Sequence, residues 1–320
     1  MGRKSVTAPS LLMVTFLLAG FLNVASATQT PPTVKKPSDP RDRATAVESY
    51  PKTRQLAQWG GGKKGKRGKK GMKGMRGGGG LSPEVMAAFM AKAAENDAMD
   101  ARGFVKTGLR PVYPDGLDCR TANSFFADET RGDGSTRSWK FYQGRHGGLD
   151  IPAKGIEIIT MADGEIIYTG TGSGIGGTGV ILRHAPEDTG LDHWTFTEYK
   201  HLKEPSTRPM GSRIGIGEVV GIAWNTGTTF GRAYGPSGHY HLHLSTWYNA
   251  TGEFKKPRAK PIPVDGYWTD PLAMMRGGPL ESAAANSLAD DEKAVRFAYK
   301  SADGAIHPEG ARIIWPLVCR

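Results

Sequence analysis

Between Ile156 and Tyr248 the chain runs in short stretches rich in Ile, Val, Thr and Tyr, punctuated by Gly, and few kinds of core can be built from that texture. The stretches are Ile156–Gly170, Gly179–Ala185, His193–Leu202, Gly217–Trp224 and His239–Tyr248. β-Branched and aromatic side chains at this spacing fit a pleated surface. Several such strands in close succession predict an all-β fold, a small antiparallel β-sandwich or barrel-like core. Inside the first stretch, Asp163-Gly164 lies between two strand-like halves and predicts a hairpin turn. One helix is predicted ahead of the core, from Pro83 to about Ala101. Ser82 suits its N-cap, Pro83 its first position, Glu84 its dipole and Gly103 its end. The β domain is placed at 118–276, the helical lead-in at 81–117, and a tail at 277–320. In the tail AVRFAYKS and ARIIWPLVC are expected to pair back onto the domain.

The first 80 residues have a different character. Residues 1–27 read as a secretory signal peptide: Arg3 and Lys4 form a basic head, Leu11 to Val24 an apolar stretch, and Ala25-Ser26-Ala27 a small-residue cleavage site. The apolar stretch is broken by Thr15, Gly20 and Asn23 and falls short of the ~20 residues a membrane span needs. Residues 28–80 read as a disordered arm, Pro- and Thr-rich at first and then nearly all Gly, Lys and Arg from Gly60 to Gly80. Charge is concentrated there. Residues 1–80 hold 16 Lys and Arg against Asp39, Asp42 and Glu48, whereas the other 240 residues hold 26 basic against 28 acidic side chains. The arm therefore offers itself either as a solubilising tether or to an anionic wall polymer or membrane surface. A dedicated nucleic-acid binder is disfavoured, because the body of the chain is close to neutral. Export would give Cys119 and Cys319, the two cysteines of the chain, an oxidising compartment, and a disulfide between them is expected.

Eight histidines are present, and four of them fall in two clusters. His146 and Asp150 form H-x-x-x-D. His239, His241 and His243 alternate along one strand-like run, so their rings should share a face. Imidazoles with a carboxylate suit Zn²⁺, and a catalytic zinc takes three protein ligands and leaves a fourth position for water. His146, Asp150 and one histidine of the second cluster supply such a set.

At these residues the chain resembles the lysostaphin/LytM-type zinc metallopeptidases. RHGGLDI (Arg145–Ile151), ADGEIIYTG (Ala162–Gly170), EYKHL (Glu198–Leu202), GEVVG (Gly217–Gly221) and SGHYHLHL (Ser237–Leu244) occur in that family's order and near its spacing. The resemblance spans roughly residues 145–272. It implies a small antiparallel β core with the site in a groove, and one Zn²⁺ held by His146, Asp150 and His243. It also implies His201 and His241 as catalytic residues beside the water to be activated, and hydrolysis of peptide cross-links in bacterial peptidoglycan by an exported endopeptidase. The alternative is a non-catalytic regulatory or wall-binding member of the same fold, but such relatives lose ligands and this chain keeps all five positions. Two departures stand out: His239 and Tyr240 both separate Gly238 from H-L-H, and Leu244-Ser245 replaces the usual Phe-Glu. His239 is read as a surface histidine at the groove, His184 as structural, and His193 and His307 as solvated. No H-E-x-x-H helix is present, which sets aside the zincin arrangement.

Overall fold

The computed structural model describes residues 80–172, 176–227, 239–257 and 260–320. The expected signal peptide and nearly all of the basic arm lie outside them. In chain order the strands are β1 (Arg110–Val112), β2 (Leu149–Pro152), β3 (Glu157–Ile159), β4 (Gly164–Thr171) and β5 (Thr178–His184). They continue as β6 (Trp194–Lys200), β7 (Arg213–Ile214), β8 (Val219–Ile222), β9 (His241–Asn249) and β10 (Phe254–Lys255). The last five are β11 (Ile262–Pro263), β12 (Tyr267–Thr269), β13 (Ala294–Arg296), β14 (Tyr299–Lys300) and β15 (Ile306–His307). The principal sheet is antiparallel and has seven strands in the order β12-β9-β6-β5-β4-β7, with β2 also paired to β9. β2 and β12 lie end to end along the same edge of β9: β2 pairs with His241–Leu244 and β12 with Thr246–Tyr248. The remaining pairings are two-stranded, among them β3 with β8 and a parallel pair of β1 with β13.

Side-chain alternation splits the core into two layers. One face of the sheet carries Val180, Leu182, Tyr199, Leu242 and Leu244, packed against Met161, Trp315 and Leu317. The other carries Ile181, Phe196 and Trp247, and it is covered by an aromatic cluster of Phe89, Phe104, Phe126, Tyr142 and Trp268. His241 and His243 belong to this second face by register. Among the described residues, no helix is long and apolar enough to cross a membrane.

Two local expectations need correction. The single helix over 83–101 is two short ones, α1 (Pro83–Phe89) and α2 (Asn96–Ala101), because donors from the body take the carbonyls that a continuous helix would use. The Trp268 indole N–H donates to the Ala88 carbonyl at 3.2 Å, the Tyr142 amide to Ala91 at 2.8 Å and the Gln143 side chain to Ala94 at 2.7 Å. Asp163-Gly164 is not a hairpin, since β3 pairs with β8 while β4 pairs with β5 and β7. It is a corner between sheets: Asp163 accepts the Ile216 amide on its side chain at 2.7 Å and the His184 ring at 2.6 Å on its carbonyl. Gly164 is needed there for space, because a Cβ would sit 2.7 Å from His184 Nδ1. In the tail, Tyr299–Lys300 pairs with Ile306–His307, and the run toward Cys319 touches 298–301 only through the isolated bridges Ala298–Ile314 and Ser301–Cys319.

The tail is nonetheless built into the fold. Ile314, Trp315, Leu317 and Cys319 are fully buried. The Ile159 amide donates to Pro316 and the Ile314 amide to Met161. Cys119 and Cys319 are joined in a disulfide, and Asp118 and Arg320 exchange backbone hydrogen bonds beside it.

Candidate metal centre

Register places the first two groups: Asp150 on β2 lies directly opposite His243 on β9. His146 precedes β2 and is brought back to them by Gly147-Gly148. A Cβ on Gly148 would run into the Leu244 carbonyl oxygen, so only glycine lets the chain pass this close to β9. The outcome is a tight triangle of ligand atoms. His146 Nε2 is 3.0 Å from both Asp150 Oδ1 and His243 Nδ1, and His243 Nδ1 is 2.8 Å from Asp150 Oδ1. All three residues are buried.

What lies behind these atoms fixes the character of the triangle. His146 Nδ1 is 2.9 Å from the Phe125 carbonyl, which can only accept, so the ring donates there and in its neutral form carries its lone pair on Nε2. His243 spends Nε2 on Ser245 Oγ at 3.0 Å, leaving Nδ1 to face the carboxylate. Burial opposes the ionised form of Asp150, yet the facing His146 and His241 rings outweigh it and hold the carboxyl well below its usual range. Burial, then Lys200, pushes His243 well below the ordinary imidazole range, favouring a neutral ring. Two lone pairs and a carboxylate oxygen converging in a buried site fit a cation. Bonds of 2.0–2.1 Å in tetrahedral geometry put ligand atoms about 3.3 Å apart, close to the spacing here.

His201 and His241 stand beside the triangle. His241 reaches the shared face by alternation on β9, and its Nε2 is 3.5 Å from Asp150 Oδ1. His201 would by alternation follow Tyr199 onto the opposite face. It follows the end of β6 with φ at 64°, a left-handed backbone uncommon for a side chain of this size. That turn brings its ring centroid 4.6 Å from that of His241. Each ring is anchored through Nδ1 to a carbonyl, His201 to Thr226 at 2.6 Å and His241 to His239 at 2.8 Å, so both present Nε2. Burial, with His241 and Lys200 nearby, drives His201 well below the ordinary imidazole value.

All five residues singled out in the sequence are thus brought together. His201, His241 and His243 form a second possible ligand trio, but their ligand atoms are grouped only within 4.8 Å and include no carboxylate to offset a dication. His239 is exposed, and its ring lies tilted against His241 with centroids 4.6 Å apart. His184 is structural as expected: it is fully buried between the Asp163 carbonyl and Thr197 Oγ1, and burial lowers its pKa to about 4. His193 and His307 do have partners, the rings of Tyr248 and Tyr299, both at 5.2 Å. The sequence does not announce the supporting shell, which is mostly backbone carbonyls of Phe125, Thr226 and His239. Nor did it single out Arg137, whose guanidinium donates to Ser124 Oγ and lies 3.7 Å from Asp150 Oδ2.

Residues 144–253 match the family model of peptidase family M23. No curated protein matches the chain in sequence. Similar solved structures include the catalytic domain of lysostaphin from Staphylococcus simulans, at 19% identity over 45% of this chain and 78% of that one, TM-score 0.28. Another is the catalytic domain of the prophage-encoded M23 protein EnpA from Enterococcus faecalis, at 17% identity over 48% and 94%, TM-score 0.29. A zinc-containing peptidase from Vibrio cholerae is similar at 19% identity over 45% and 36%, TM-score 0.29.

Proposed function

Starting from a chain that carries a peptidase family M23 domain over residues 144–253, we propose that it is an exported endopeptidase that hydrolyses peptide cross-links of bacterial peptidoglycan with one Zn²⁺. The observation that carries this reading is the buried triangle of His146, Asp150 and His243, whose lone pairs face one another at 2.8–3.0 Å. Those three residues would hold the ion. When bound there, Zn²⁺ supplies a Lewis acid for the scissile carbonyl and lowers the pKa of a coordinated water toward ~7.

The chain's own residues supply proton handling. With Nδ1–H committed to carbonyls, His201 and His241 each offer Nε2 toward the same space. One such nitrogen accepts the proton of the attacking water and passes it to the leaving amine, while the other, when protonated, donates to the developing oxyanion. Export is supported by the signal-peptide pattern of residues 1–27, and the basic arm would hold the enzyme to an anionic wall polymer or membrane surface.

Metal analysis of the full chain should find about one zinc, with His146→Ala, Asp150→Ala and His243→Ala each losing most of it. His201→Ala and His241→Ala should keep the metal and lose turnover of defined muropeptides, read by product mass. A native protein without zinc, or an intact wild type that releases no peptide product, would defeat the reading and leave a wall-binding module.

A further inference from the structure

On the same face of the sheet as the metal centre lies a cleft of about 510 Å³, within the usual range for ligand sites. Gly179, Glu198, Lys200 and Trp247 form its floor, the segment after α1 one wall, and Lys260 and Ile262 border the opposite side. Lys200 lies directly opposite His243 in the β6–β9 ladder, and side chains so paired share a face. The cleft therefore begins one side chain from the metal centre.

Its charges do not cancel. The buried Glu198 carboxylate takes Lys260 at 2.8 and 2.9 Å on its two oxygens and faces Lys200 at 3.4 Å. Two ammonium groups bring six N–H donors and two positive charges, and one carboxylate satisfies only part of either. Such a charge set is expensive to desolvate if it only fills space, since apolar residues of similar volume do that at lower cost. Gly179 faces Lys200 across the strands, where a Cβ would meet the Tyr199 carbonyl oxygen at 2.9 Å and the Lys200 stem at 3.4 Å.

We infer that Lys200 and Lys260, held in place by Glu198, form a subsite for one free carboxylate of the peptide substrate close to the bond that is cut. One carboxylate completes the balance of Glu198 with Lys200 and Lys260, and the exposed Lys92, which also lines the cleft, adds a further positive charge. Tyr142, Tyr168 and Trp247 line the cleft and give the residue bearing that carboxylate an apolar bed. This inference rests on the peptidase reading and narrows it. Peptides with a free carboxylate near the scissile bond are preferred over amidated or all-glycine ones.

The test uses the zinc-loaded full chain and cross-linked muropeptides prepared in two forms, with carboxylates free or converted to carboxamides. Free-acid substrate should show a kcat/KM at least about tenfold higher, mostly through KM, as expected for uniform binding. Lys260→Gln should bring that ratio close to one. So should Glu198→Gln combined with Lys200→Met, a pair that removes the buried charges together and guards against misfolding of a single Lys200 variant. A wild-type ratio near one, or a ratio kept by both variants, would overturn the subsite. Calorimetric titration of both muropeptides into the His201→Ala chain separates the two readings. Lys260-dependent preference in binding without any cleavage by the wild type keeps the subsite and removes the peptidase; cleavage without preference does the reverse.

Discussion

Gly148 and His184 show what single positions contribute. Gly148 has no positive φ and is glycine because β2 must approach β9 closely enough for Asp150 and His243 to meet. Gly148→Ala should therefore lower zinc affinity about tenfold or more, comparable to losing a group that orients a ligand, with a smaller loss of thermal stability. Metal content after competition with a chelator measures this, and unchanged retention would contradict it. His184 carries a pH dependence. Its folded pKa is about 4 because burial disfavours the charged ring, while Asp163 and Asp188 oppose that effect and Arg213 adds to it. The unfolded value is about 6.5. Between those values the unfolded chain binds a proton that the folded one refuses, so stability falls as pH drops through that window, by roughly 3 kcal/mol in all. Urea unfolding of wild type and His184→Gln from pH 7 to 4.5 should show the steeper decline in the wild type.

At the level of elements, α1 is held by aromatic contacts more than by its own length. Phe89 stacks on Trp268 with ring centroids 5.1 Å apart and meets Trp247 edge-on at 6.0 Å. Phe89→Ala should cost about 3–5 kcal/mol, read as a lower urea midpoint, and it should widen the cleft that α1 walls. A change under about 1 kcal/mol would mean that α1 is an appendage. The strands β5, β6 and β9 were legible because their runs are long and rich in β-branched and aromatic residues. The candidate site stood out because histidine is scarce and clustered, although the runs alone left open which of His239, His241 and His243 joins His146 and Asp150. The break between α1 and α2 was not, since it depends on Trp268, Tyr142 and Gln143 reaching back from far along the chain. The corner at Asp163-Gly164 was misread for a related reason: glycine signals a turn and close packing with the same letter. His201 shows the limit most clearly, because the left-handed turn that brings it to the site leaves no mark in Y-K-H-L.

Across the whole molecule, the disulfide between Cys119 and Cys319 encloses the β domain and the tail in one covalent loop with a sequence separation of 200. The chain-entropy account assigns such a loop roughly 5 kcal/mol as an upper guide. Reduction should lower the melting temperature without releasing zinc, since neither sulfur is among the candidate ligands; loss of the metal on reduction would show that the loop also sets the site. The clasp has a further consequence, in time rather than in space. Ile313, Trp315, Leu317 and Cys319 complete the core on the face away from the histidines, and Cys119 has no partner until residue 319 has been synthesised. The domain therefore cannot be finished as it emerges. Pulse-labelled nascent chains should keep a reactive thiol at Cys119 and stay sensitive to protease until the tail arrives, so the order of synthesis itself defers completion of the domain until the chain has been made through Cys319.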